Sequence, residues 1–166
     1  MLREILKYKR YRFTDGFDSW QDAVRESCRS LKEEGILTDS YAEEVIANVN
    51  RYGAYFVIAP EIALIHSTEF AEGVSGTAIS YMHLNRKINL MDDPEKSVSV
   101  MLTICSDDPA KHMKNIALIA SELGEEQVCE DLRHAKSPDD LERLMNRIHE
   151  MGLDSTADMN AGLADA

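Results

Sequence analysis

Histidines are the side chains of this protein best suited to chemistry near neutral pH, because an imidazole gains or loses a proton there and its neutral ring nitrogen can attack phosphorus. There are five: His66, His83, His112, His134 and His149. His134 and His149 fall on the surfaces of predicted helices and read as exposed. His83 shares a strand with Tyr81 and reads as a packed, hydrogen-bonded histidine. His66 and His112 stand apart. His66 closes a buried apolar run, and His112 lies in the first turn of a helix, where backbone N–H groups and the helix dipole favour an anion.

Other chemistries find less support. No His-x-x-x-His, His-Glu-x-x-His or Cys/His cluster has metal-ligand spacing, so neither a metal nor a cofactor is expected. Gly73 and Gly76 are too isolated to form a phosphate loop. Ser67 adjoins His66, but a histidine seldom acts as base for its immediate neighbour, which argues against a hydrolase. Cys28, Cys105 and Cys129 are an odd number with no CxxC pair and read as reduced, mostly buried thiols.

The elements that must position the two histidines follow from periodicity. Residues 4–13 alternate loosely and suit a first strand ending at Thr14-Asp15-Gly16. Ser19 can cap a helix with Asp22 three positions on, with Trp20, Val24, Cys28 and Leu31 on one side and Gly35 at its end. A second helix begins at Thr38 or Asp39, buries Tyr41, Val45, Ile46 and Val49, and stops at Gly53. Residues 55–59 and 62–65 form short apolar strands around Pro60. Residues 74–84 are extended, residues 86–93 read as a strand end and loop, and residues 97–105 make an inner strand. Asp107 or Asp108 with Pro109 opens a helix whose apolar side is expected to carry Met113, Ile116, Ala117 and Ala120. Helices over residues 125–135 and 138–151 follow, the last with Leu141, Leu144, Met145 and Ile148 inward. This order predicts a mixed sheet with helices on both faces, one domain over residues 1–151 and a mobile tail over residues 152–166.

With 166 residues, 44% hydrophobic and 29% charged, one core is expected. The longest nearly apolar stretch, residues 54–65, is too short for a membrane-spanning helix, which needs about twenty residues. The first ten residues lack the pattern of a secretory signal, so a cytoplasmic location is expected. The net charge of -12 speaks against a nucleic-acid partner. The basic cluster over residues 7–12 reads as an alternating strand with a solvated basic face.

The segment from Gly53 through Pro60 to His66, continued by Glu69 and Glu72-Gly73-Val74, resembles the active-site region of the mannitol/fructose-type enzyme IIA family of the bacterial phosphotransferase system, in its ascorbate-type branch. Asp107-Asp108-Pro109-Ala110-Lys111-His112-Met113 is similar to that family's second-histidine motif. The resemblance spans roughly residues 2–150. It implies a three-layer α/β/α sandwich around a central mixed sheet. It also implies that His66 accepts a phosphoryl group from the histidine phosphocarrier protein and passes it to a cysteine of an enzyme IIB. His112 would assist, with Ser67 and Arg51 as further phosphate-supporting residues, beside a membrane transporter. A homodimer is left open. So is a regulatory module in which phosphorylation controls a protein partner, or a scaffold whose histidines are only structural. Around His66, Ile65 replaces the family's proline, Glu61 replaces a glycine, and Ser67-Thr68 replaces an Ala-Arg pair. Ile65, Phe70 and Met113 are expected to contribute to a partly apolar docking surface.

Overall fold

The computed structural model describes residues 1–67 and 72–153. Thr68, Glu69, Phe70 and most of the expected tail therefore lie outside the described residues. Leu153, at the start of that tail, is partly buried against the core.

Helix α1 (Leu2–Lys7) opens the chain, followed by β1 (Tyr11–Thr14), α2 (Trp20–Ser27), α3 (Arg29–Glu33) and α4 (Asp39–Tyr52). Strands β2 (Val57–Ala59), β3 (Glu61–Ile65), β4 (Ala78–Asn89) and β5 (Ser97–Cys105) come next, and α5 (Pro109–Glu122), α6 (Glu126–His134) and α7 (Pro138–Glu150) end the described chain. The sheet order is β1-β4-β5-β3-β2. β1 runs parallel to β4 and β3 parallel to β5, while β4 with β5 and β2 with β3 are antiparallel.

β3 shows how the layers form. Ile62 and Leu64 point into one apolar cluster with residues of α1, α5, α6 and α7, whereas Ala63 and Ile65 point into the other with residues of α2, α3 and α4. A strand covered on both faces must be apolar at every position, which explains the unbroken Ile-Ala-Leu-Ile run. Burying a side chain of this size stabilises the fold by about 1.5–3 kcal/mol. The result is the expected three-layer sandwich with a mixed central sheet.

Four local expectations change. The expected first strand over residues 4–13 is mostly helix: Leu2 and Ile5 are three apart on one buried face, and Lys9 takes a left-handed φ of 54° that turns the chain into a shorter β1. The basic cluster divides, with Lys7 and Lys9 exposed and its arginines paired. Arg10 is buried and bidentate to Glu34 at 2.7 and 2.9 Å, and Arg12 pairs with Glu26 at 2.5 Å. The helix begun at Ser19, whose side chain accepts from the Asp22 N–H as expected, breaks at Cys28. There Ser27 Oγ donates back to the Val24 carbonyl at 2.6 Å and competes with the helical ladder. Strand β4 also runs further than expected, to Asn89.

Candidate functional site

His66 is the first residue beyond β3 and is half-buried. Its Nδ1 lies 2.7 Å from the Leu64 carbonyl oxygen. A carbonyl only accepts, so Nδ1 carries the proton and Nε2 keeps its lone pair. Burial holds the imidazole pKa below its ordinary value of 6.5, with the Leu64 hydrogen bond acting in the opposite direction. His66 is therefore neutral at pH 7, as a nitrogen nucleophile must be.

β5 is the parallel neighbour of β3, and its C-terminal end leads into α5. Asp108 caps that helix and Pro109 occupies its first position, so His112 falls in its opening turns. The two imidazoles approach to 6.1 Å between ring centroids at an interplanar angle of 53°. His112 is 8% exposed. Two histidines distant in sequence thus meet outside the carboxyl ends of adjacent parallel strands, where open α/β sheets commonly bind ligands.

The other expected site residues divide. Ser67 is 3% exposed beside His66, and its Oγ has no hydrogen-bond partner among the described residues. Arg51 sits exposed in the last turn of α4 with its guanidinium 5.5 Å from the Tyr52 ring centroid. Hydrogen bonds and ion pairs among the described residues do not join it to either histidine.

Helix α5 departs from expectation in two ways. Its N-terminal amides are not open to an anion, because Asp108 Oδ1 accepts from the N–H groups of Ala110 and Lys111 at 2.9 and 3.2 Å and Pro109 has none. Its buried side carries His112, Asn115, Ile119 and Glu122, whereas Met113, Ala117 and Ala120 are exposed and Ile116 is half-buried. The helix is rotated so that polar residues face inward. Met113, 55% exposed, is available to a partner as expected, but Ile65 is fully buried and serves the core.

Sequence reasoning missed two residues at the site. Tyr41, read only as part of the apolar stripe of α4, accepts from the Ser67 N–H at 3.1 Å and donates to the Ile104 carbonyl at 2.6 Å. Tyr55 donates to the His66 carbonyl at 2.7 Å, and its ring stands edge-on to the imidazole, with centroids 5.3 Å apart at 89°. For Tyr41, 1% exposed on α4, a tyrosine where Leu or Phe would satisfy the periodicity was the available signal, since a buried phenol needs a polar partner; Tyr55, 36% exposed in the following loop, carried none.

Comparison with known proteins adds the family. Residues 4–148 match the model described as "Phosphoenolpyruvate-dependent sugar phosphotransferase system, EIIA 2". The chain belongs to this family. Its relatives include the ascorbate-specific PTS system EIIA component of Escherichia coli K12, 26% identical over 131 residues that cover 78% of this chain and 84% of the relative. Among solved structures it is similar to a candidate PTS IIA domain from Streptococcus pyogenes M1 GAS, at 26% identity and a TM-score of 0.78, covering 90% of this chain and 96% of that one. It shares its fold with the IIA mannitol component in a complex with phosphorylated enzyme IIB from Escherichia coli, at 17% identity and a TM-score of 0.70 over 84% of this chain and 95% of that one. This EIIA protein is thus a phosphocarrier of the sugar phosphotransferase relay. Among its described residues, no group of three His, Cys, Asp or Glu side chains could hold a metal ion, and no helix is long and apolar enough to cross a membrane.

Glu61, one of the departures from the family pattern, has a structural explanation. Its φ of 63° is left-handed and it sits at an irregularity in the β3–β5 register, a place suited to glycine. Its carboxylate pairs with Lys87 at 2.9 Å, and it stands five positions before His66 along the strand, about 16 Å at the usual rise. The charge of Glu61 is therefore both distant from His66 and paired.

Proposed function

We propose that Nε2 of His66 is the phosphoryl acceptor, that the donor is the phosphohistidine of the histidine phosphocarrier protein, and that the recipient is a cysteine thiolate of an enzyme IIB. The hydrogen bond from Nδ1 to the Leu64 carbonyl carries this reading, because it fixes the tautomer with its lone pair on Nε2. In the first transfer the Nε2–P bond forms as the donor's N–P bond breaks, and the bonding pair returns to the donor ring. In the second, a thiolate sulfur attacks phosphorus and the pair of the Nε2–P bond returns to His66.

The phosphoryl group brings nearly two negative charges to a partly buried site. With the first-turn amides of α5 occupied by Asp108, stabilisation falls to the His112 ring and to Ser67 Oγ. Arg51, turned over Tyr52, takes no part in these steps. Exposed Met113 offers apolar contact to an incoming partner. The reading places the protein in the cytoplasm, where it would serve a membrane transporter. Glu61 lends no support to a purely regulatory module, since its charge is remote from the site and paired with Lys87.

Mass spectrometry after incubation with phosphoenolpyruvate, enzyme I and the phosphocarrier tests the assignment. The expected result is an acid-labile gain of about 80 Da that disappears in His66→Ala. A gain that persists in His66→Ala, or no gain while a known acceptor works in parallel, overturns it.

A further inference from the structure

His66 lies one residue beyond its strand, where the sheet ladder no longer holds the backbone and Ile65 leaves its own φ unconstrained, as a proline would not. Something else must orient the ring. The His66 carbonyl and the Ser67 N–H belong to one planar peptide unit. Tyr55 donates to the oxygen of that unit at 2.7 Å, and Tyr41 accepts from its N–H at 3.1 Å. Two phenols therefore grip opposite edges of the same peptide plane, while the imidazole is tied through Nδ1 to the Leu64 carbonyl behind it.

The two grips are anchored differently. Tyr41 is fully buried on α4 and also donates to the Ile104 carbonyl at 2.6 Å, so it links the helical layer, the end of β5 and the site. Tyr55 reaches from the loop after α4, packs edge-on against Phe56 at 5.1 Å, and stands edge-on to the His66 ring. Burial raises the pKa of both phenols, that of Tyr55 to about 12. Both therefore keep the protons their donor bonds require.

We propose that Tyr41 and Tyr55 are positioning residues that clamp the His66–Ser67 peptide and hold the imidazole in one orientation toward His112 during phosphoryl transfer. The proposal rests on His66 being the acceptor. A loose ring would spend most of its time away from the line of attack, and a misplacement near 1 Å can cost about 10²-fold in rate. The clamp acts through His66 without touching the phosphoryl group, so its loss should appear in the rate at saturating donor and leave donor affinity intact.

Tyr55→Phe is the deciding variant, because it keeps the ring against His66 and removes only the hydroxyl near the surface. Tyr41→Phe strips two buried hydrogen bonds and puts the fold at risk. For Tyr55→Phe, kcat for uptake from the phosphorylated carrier should fall about tenfold with KM and Tm unchanged. By amide exchange, the Ser67 N–H should be protected in the parent protein and exchange about tenfold faster in Tyr55→Phe. A parental kcat in Tyr55→Phe, a loss confined to KM, or unaltered Ser67 exchange overturns the clamp. If the parent protein accepts no phosphoryl group, the acceptor reading fails separately, and Ser67 exchange alone then decides whether the peptide is clamped.

Discussion

His66 and His83 occupy two regions of one sheet and look alike by local chemistry. Each places a ring nitrogen 2.7–2.8 Å from a backbone carbonyl, that of Leu64 for His66 and that of Arg133 for His83. Burial is the leading cause of a lowered pKa in both. Their surroundings separate them. His83 is 3% exposed in the body of β4, opposite Val100, with α6 over it. His66 has left its strand and faces a second histidine that arrives from the end of a parallel neighbour. A perturbed pKa thus marks burial in this protein, and chemistry is marked by position at the carboxyl ends of β3 and β5.

The largest expected effect breaks the pair apart. His66→Gln should abolish phosphoryl uptake, because an amide nitrogen has no lone pair to offer phosphorus, while thermal unfolding stays near that of the parent. His83→Gln should keep uptake. Uptake by His66→Gln, or its loss in folded His83→Gln, would show the two positions to be wrongly distinguished.

Next comes the partner that makes the first region chemical. His112→Ala should slow single-turnover transfer by about 10²–10³, the usual cost of removing one prearranged donor of charge stabilisation. A rate equal to the parent would reduce His112 to a packing residue of α5. His83 has its own expected effect, on stability. Its truncation to Ala leaves the part-buried Arg133 carbonyl without its donor, and the urea midpoint should correspond to a loss of about 1 kcal/mol.

The two regions should respond to pH in the same direction. In the folded state both rings prefer to be neutral, with pKa values below the 6.5 of the unfolded chain. As pH falls through 6.5 the unfolded chain takes up protons first and is favoured. Stability therefore decreases below pH 6.5 until the folded-state pKa values are reached, and is fully present above 6.5. Urea unfolding from pH 7.5 to 5 should show this fall, and His83→Gln should flatten part of it. Uptake by His66 should hold below pH 6.5, since its ring stays neutral there. A rate that halves at or above pH 6.5 would contradict the lowered pKa.

Much of this arrangement was legible beforehand. Residues 62–65 of β3 are apolar throughout, β5 is mostly apolar and β-branched, and the Asp108-Pro109 start of α5 is written in residue types whose backbone preferences are strong. Helix α1 was not legible, because six residues with three buried positions, one of them Glu4, offer little more than one turn of periodicity, and the same letters also alternate. The rotation of α5 was hidden for another reason. An amphipathic reading turns apolar residues inward, but a site needs His112 inside, and the helix follows the site while Met113, Ala117 and Ala120 go outward. The tyrosine grips were hidden too, since a phenol on an apolar stripe, as Tyr41 is, shows where it is buried and not which distant carbonyl it reaches, and Tyr55 stands in a loop.

The smallest expected effect concerns a third position on β3 and sharpens the contrast between strand end and strand start. Glu61 holds a left-handed backbone at φ 63°, which is costly for a residue with a Cβ, and gains only a partly exposed ion pair with Lys87. Glu61→Gly relieves the first and removes the second. Left-handed strain costs about 1–2 kcal/mol, whereas an exposed pair contributes about 0–1 kcal/mol, so the variant should be slightly more stable despite the greater freedom of glycine when unfolded. A rise of about 0–1 kcal/mol in urea unfolding is expected. Phosphoryl uptake should not change, because the Glu61 carboxylate stands about 16 Å from His66 along the strand and is paired with Lys87 near the surface. A lower stability would show that the Lys87 pair outweighs the strain, and an altered transfer rate would show that the field of Glu61 reaches His66 after all.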